Sequence, residues 1–164
     1  MVQPVVTALL WFSAIGCGLL AGLYFTFSAF IMTALGRLEQ AHGIAAMNSI
    51  NSSILQSLFM PFFLGTTLTS MALAVMALVR RGQAGATWML VGGIVYVVGM
   101  FVVTMVFNVP LNNALAAANP ASAEAATVWA RYLRDWTLWN HVRTISSAAA
   151  SALYIAAIAA SATR

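Results

Sequence analysis

The chain has 164 residues, of which 62% are hydrophobic and 6% charged, with a mean hydropathy of +0.92. That balance lies outside the range of soluble globular domains and makes a lipid bilayer the principal solvent. The net charge of +4 comes from seven arginines and three acids, with no lysine and no basic run longer than Arg80-Arg81, so no patch exists for nucleic acid; a single cysteine, Cys17, excludes an intramolecular disulfide.

A membrane helix needs about 20 apolar residues, and four uncharged segments supply them, at about 5–35, 54–79, 86–107 and 144–162. They predict an all-α membrane protein, a single domain over residues 1–164 with four transmembrane helices in an antiparallel bundle. The first run reads as a retained helix rather than a cleaved targeting segment, because it continues to about Leu35 with no Lys or Arg before it. Ala14, Gly18 and Gly22 form a row of small residues suited to close helix packing. The connection over 36–53 is long and polar, with His42 read as solvated, and it ends in Asn48 and Asn51 before the second span. Pro61, inside that span, predicts a lost backbone hydrogen bond and a kink.

Residues 80–85 form a tight polar turn into the third span, which ends in Asn108, with Asn112 and Asn113 beyond. In the second long connection, 109–143, Asn119-Pro120 marks a break, and Ser122 is placed to cap a helix running through Trp129 and Trp136 into the fourth span. The fourth span is rich in Ala and Ser and predicts packing against protein. With an even number of spans, both long connections share one membrane face and the short turn and termini share the other. Arginines divide between them: Arg80, Arg81 and Arg164 against Arg37, Arg131, Arg134 and Arg143. The Arg pair in a minimal turn favours cytoplasmic termini.

At about 100° per residue, Trp129, Tyr132, Trp136, Trp139, Asn140, Arg143, Ser147, Ser151 and Tyr154 share one face of the last helix. Ser13, Cys17, Tyr24 and Ser28 share one on the first. Two such stripes predict a pocket open toward the long connections, and the asparagines gathered there need hydrogen-bond partners in a low dielectric. His141 and Asp135 project to either side of the stripe. Other readings stay open: an interfacial belt for Trp88 and Trp129, caps for Asn48, Asn113 and Asn119, a headgroup contact for Arg143 or His141. Two histidines, three acids and one cysteine make no recognisable metal-ligand set, phosphate-binding loops and serine triads are absent, and heme on His141 is left open. Four short spans offer a transporter little unless the protein forms a homo-oligomer.

Four strings carry a resemblance: Gly22-Leu23-Tyr24-Phe25-Thr26-Phe27-Ser28, Met47-Asn48-Ser49-Ile50-Asn51, Asn108-Val109-Pro110-Leu111-Asn112, and Trp136-Thr137-Leu138-Trp139-Asn140-His141-Val142-Arg143-Thr144. Together they resemble the anthrone oxygenase-like family of small four-helix membrane proteins, over nearly the whole chain and in the same order. The resemblance implies oxygenation of an anthrone, a tricyclic polyketide-derived phenol, to an anthraquinone, with molecular oxygen as co-substrate and no metal or flavin. On that reading Arg143, Asn108, Asn112 and Asn140 are donors to the developing anion. Trp136, Trp139 and Tyr24 sandwich the rings, and Ser28 and Asn51 complete the binding site. The proton goes to His141 or Asp135, to a phenolate of the substrate or to water. The expected partners are a hydrophobic aromatic molecule and the bilayer. A non-catalytic membrane protein that binds a lipid, a quinone or a partner protein would use the same chamber.

Overall fold

The computed structural model describes residues 2–162; Arg164, counted above with the short-turn face, lies outside them. In chain order the helices are α1 (Gln3–Gly36), α2 (Gln40–Leu55), α3 (Phe59–Val79), α4 (Ala86–Ala117) and α5 (Ala123–Ala162). All but α2 are long and apolar enough to cross a membrane. α1 packs most extensively on α5, α5 on α4, α4 on α3 and α3 back on α1, which closes an antiparallel ring.

The ring closes because each helix buries one seam and leaves the rest to lipid. On α1 the buried positions Val6, Leu10, Cys17, Tyr24 and Phe27 recur at helical spacing, while Ile15, Phe25 and Phe30 point outward. The short turn between α3 and α4 is made by Gly82 and Gly85, whose φ values of 87° and 82° suit glycine. Of the row expected on α1, Ala14 meets α5 closely, its carbonyl accepting from Ser151 Oγ at 2.8 Å, but the two glycines of the row do not sit at the tightest approaches. A methyl on Gly22 would meet nothing within 4 Å, and one on Gly18 would meet only Ser151 Oγ at 3.4 Å. On Gly93 it would stand 2.7 Å from Ala74 Cβ and 2.8 Å from the Ser70 carbonyl, so α3 and α4 meet there.

Neither long connection is a loop. The first holds α2, whose N-terminus is capped by Glu39 accepting from the Ala41 N–H. Asn48 lies inside α2 with a buried, unpartnered Oδ1, so it is not a cap. The break at 56–58 starts the second span at Phe59 rather than 54, with Ser57 Oγ accepting from the Phe59 N–H. Pro61 is therefore the third residue of its helix, where the missing N–H has no partner to lose, and the expected kink does not arise. α4 extends beyond the predicted 86–107 to Ala117, while α5 starts at Ala123, as expected of a helix that Ser122 caps and that runs on into the fourth span; Ser122 Oγ accepts from the Ala125 N–H.

Four stretches have π-helical bonding: Phe27–Ile31 in α1, Val97–Val102 and Thr104–Asn108 in α4, and Tyr132–Trp136 in α5. Such segments re-aim side chains and are frequent at functional sites. Three of them meet. The Phe27 and Trp136 rings lie 5.6 Å apart, and Asn108 Nδ2 donates to the Trp136 carbonyl at 3.2 Å.

Candidate functional site

Where those π segments meet, a chamber of about 270 Å³ opens among all five helices. Its apolar walls include Leu23, Phe59 and Phe63, and its polar lining comes from Tyr24, Asn51, Thr104, Asn112 and Arg143, with Trp136 beside them. A groove bearing Ser49, Ser53 and Ser57 continues it outward along Leu23, Phe27, Ile50 and Ile54 to the break between α2 and α3.

Arg143 dominates this space. It is 5% exposed, and its Cζ lies 4.4 Å over the Tyr24 ring and 4.9 Å from the Trp136 ring, so two aromatic rings pack against the guanidinium. Its Nη2 donates to Asn140 Oδ1 at 2.7 Å, while its Nε has no partner among the described residues. Asn140 is held in turn, its Nδ2 donating to the Tyr24 carbonyl at 2.7 Å and to Ser28 Oγ at 2.8 Å. Ser28 also contacts Thr144 Oγ1 at 3.3 Å. α5 therefore presents Arg143 through an amide anchored on α1.

No described ion pair includes Arg143. Glu39 faces His42, and Asp135 takes both Arg131 and Arg134. An unpaired charge held out of water is disfavoured by several kcal/mol, on the order of what a good counter-ion returns. A buried guanidinium that lines a cavity with no carboxylate beside it has the chemistry to pair with an anionic group.

A second polar group lies across the aromatic file. Tyr132 is stacked between Trp129 and Trp136, with ring centroids 5.8 and 5.7 Å away. Its hydroxyl donates to Asn112 Oδ1 at 2.8 Å and accepts from Asn51 Nδ2 at 3.4 Å. Tyr132 belonged to the α5 stripe but carried no expected role; its stacking between two tryptophans of that stripe was the signal.

The structure gathers Tyr24, Asn51, Asn112, Trp136 and Arg143 in the chamber and sets Asn140 and Ser28 behind the arginine. Asn108 is buried beside Trp136, supporting its backbone from outside the lining, with Oδ1 unpartnered. Trp139 is elsewhere. The buried seam of α5 passes through Trp136, Asn140 and Arg143, which turns Trp139 outward onto Phe107, at 3.6 Å between ring centroids. Those two rings line a separate cavity of about 340 Å³, whose charged residues Arg131 and Asp135 already pair. His141 is exposed and lines neither space. The chamber walls from α3 and α4, Phe59, Phe63 and Thr104, were not foreseen: in uniformly apolar spans an inward Phe looks like a lipid-facing one.

A family model described as Anthrone oxygenase matches residues 55–153. The match takes in α3, α4 and most of α5, hence Asn108, Asn112, Trp136, Asn140 and Arg143; the α1 and α2 residues Tyr24, Ser28 and Asn51 lie before it. No curated protein and no solved structure matches the chain.

Proposed function

The chain belongs to the anthrone oxygenase family, and from that premise we propose that it is a membrane-bound oxygenase, converting an anthrone-like or other electron-rich phenolic substrate to a quinone with molecular oxygen and no resident cofactor. The observation that carries the reading is Arg143, a buried guanidinium without a carboxylate partner that lines an aromatic-walled chamber.

The substrate is a flat ketone whose central methylene is acidic because the anion it leaves is a phenolate-like enolate. Arg143 holds the enolate oxygen with the donors that Asn140 does not use, and Tyr24 and Trp136 border the ring system. A fixed donor of this kind in a dry site contributes about 10²–10³ in rate. No acid or histidine lines the chamber, so the methylene proton passes to water or to a phenolate of the substrate itself. The enolate gives one electron to oxygen, and the resulting superoxide joins the carbon radical and takes up a proton. That hydroperoxide loses water by breaking its C–H and O–O bonds, which leaves the second carbonyl. One substrate and one oxygen give one quinone and one water.

The bilayer delivers such an apolar substrate through the groove at the α2–α3 break. The Arg80-Arg81 pair in the minimal turn favours cytoplasmic termini.

The test is quinone formation and oxygen uptake by the purified protein in lipid nanodiscs supplied with an anthrone. Turnover above the uncatalysed background, lost in Arg143→Gln, is expected. Background rates with every anthrone tried would overturn the assignment.

A further inference from the structure

The hydrogen bonds around Tyr132 have a direction. A phenol carries one proton, and Tyr132 gives its proton to Asn112 Oδ1, so toward Asn51 Nδ2 it is an acceptor. That uses the oxygen of one amide and the nitrogen of the other. Asn51 is left with a free acceptor, Oδ1, and Asn112 with a free donor, Nδ2. Both residues line the chamber, and neither atom is among the buried polar atoms without a partner, as expected of groups that face the cavity.

We propose that Asn51 Oδ1 and Asn112 Nδ2 form a subsite for one neutral phenolic hydroxyl, distinct from the oxygen held at Arg143. A phenol O–H donates to Asn51 and accepts from Asn112, satisfying both. An ether oxygen has no proton for Asn51, a phenolate sets two acceptors against each other, and a bare ring edge leaves both amide groups unpaired. The Arg143 guanidinium lies 4.9 Å and the Tyr132 ring 5.7 Å from the Trp136 ring. Arg143, Asn51 and Asn112 line one chamber, so a single phenolic ligand can engage the guanidinium and the amide pair together. Tyr132 acts as a positioning residue, setting which amide donates and which accepts. This assignment rests on the chamber binding an aromatic enolate at Arg143.

The experiment compares three probes under argon, an unsubstituted anthrone, a hydroxyanthrone bearing its hydroxyl on an outer ring, and the methyl ether of that compound. Binding to the protein in nanodiscs is followed by quenching of tryptophan fluorescence. The expected order is hydroxy above unsubstituted above methoxy, with at least a tenfold gap between the first two, because sites built for a hydroxyl reject analogues lacking it. In Tyr132→Phe, which keeps the ring stack and removes the hydroxyl that sets the polarity, the gap closes while the unsubstituted anthrone binds as before. In Arg143→Gln all three probes weaken together and the order persists. Equal affinity of the wild type for the hydroxyanthrone and the unsubstituted anthrone, or an undiminished gap in Tyr132→Phe, would overturn the subsite and leave the anion site standing. Failure of every probe to bind would overturn the anion site, and the subsite with it.

Discussion

Asn140 reaches from α5 to the backbone of α1, its Nδ2 2.7 Å from the Tyr24 carbonyl, and the same amide holds the Arg143 guanidinium by its oxygen. One side chain thus ties the two helices that meet most extensively to the one charge they enclose. Leucine at this position leaves Arg143 Nη2 and the Tyr24 carbonyl without their partner in a dry setting, a loss of roughly 2–5 kcal/mol. Asn140→Leu is expected to lower the unfolding midpoint in nanodiscs well below that of the wild type. An unchanged midpoint would show that the amide is not holding the helices together.

Aspartate at the same place gives up the Nδ2 donor as leucine does, and it tests the electrostatics as well. Asn140→Asp puts a carboxylate where Oδ1 lies 2.7 Å from Arg143 Nη2, so the guanidinium acquires an internal counter-ion and the chamber loses its excess positive charge. Affinity for an anionic anthrone probe should fall by at least about tenfold, equivalent to about 1.4 kcal/mol. A neutral quinone should bind nearly as in the wild type. Equal losses for both ligands would point to a collapsed chamber rather than a neutralised one.

Under the proposed function, Arg143 sets stability against activity. Burying an uncompensated guanidinium opposes folding, so methionine, similar in length and apolar, is expected to leave the unfolding midpoint unchanged or raised. Quinone formation in Arg143→Met should drop by about 10²–10³. The two readouts come from one preparation, and a fall in both would mean that Arg143 is a structural cross-link between Tyr24, Trp136 and Asn140.

The bundle and half of its site were legible in the sequence because both depend on periodicity. Charge-free runs of sufficient length marked the spans, and the stripe through Tyr132, Trp136, Asn140, Arg143 and Tyr154 is the buried seam of α5, with Cys17 and Tyr24 on the facing seam of α1. Trp139 escaped because a projection places residues to within a broad arc, and the seam, which bends through the π turn at Tyr132–Trp136, leaves it on the edge. Asn51 could be named from its polarity, but its partner Tyr132 is 81 positions away, a pairing no local pattern encodes. Phe59 and Phe63 were invisible for a different reason: in lipid, hydrophobicity does not separate the inside of a bundle from the outside.

His141 and Trp139 provide the negative controls. Both stand within the string that carries the family resemblance, yet His141 is exposed and Trp139 stacks on Phe107 outside the chamber. His141→Gln should retain wild-type turnover. Trp139→Leu should lower stability modestly, by about 0.5–1.5 kcal/mol for the lost ring pair beyond its area burial, and keep the KM for substrate. Lost turnover in His141→Gln would mean that the histidine reaches the reacting proton by a route the chamber does not display.

The packing of the ring can be checked away from the chemistry by comparing two glycines. At Gly93 an added methyl meets Ala74 Cβ at 2.7 Å and the Ser70 carbonyl at 2.8 Å, and neither neighbour can rotate away, one being a methyl fixed to the backbone and the other the backbone itself. Gly93→Ala must push α3 and α4 apart, which overpacking in a close-packed interior penalises by about 1–3 kcal/mol. At Gly22 the same methyl meets nothing within 4 Å, and alanine is the better helix former by about 1 kcal/mol, so Gly22→Ala should leave the midpoint unchanged or slightly raised. Thermal unfolding of the two variants in the same lipid decides the matter. If Gly22→Ala is the damaging change, the close approach of helices runs along the small-residue row of α1, and the packing of α3 against α4 described above is wrong.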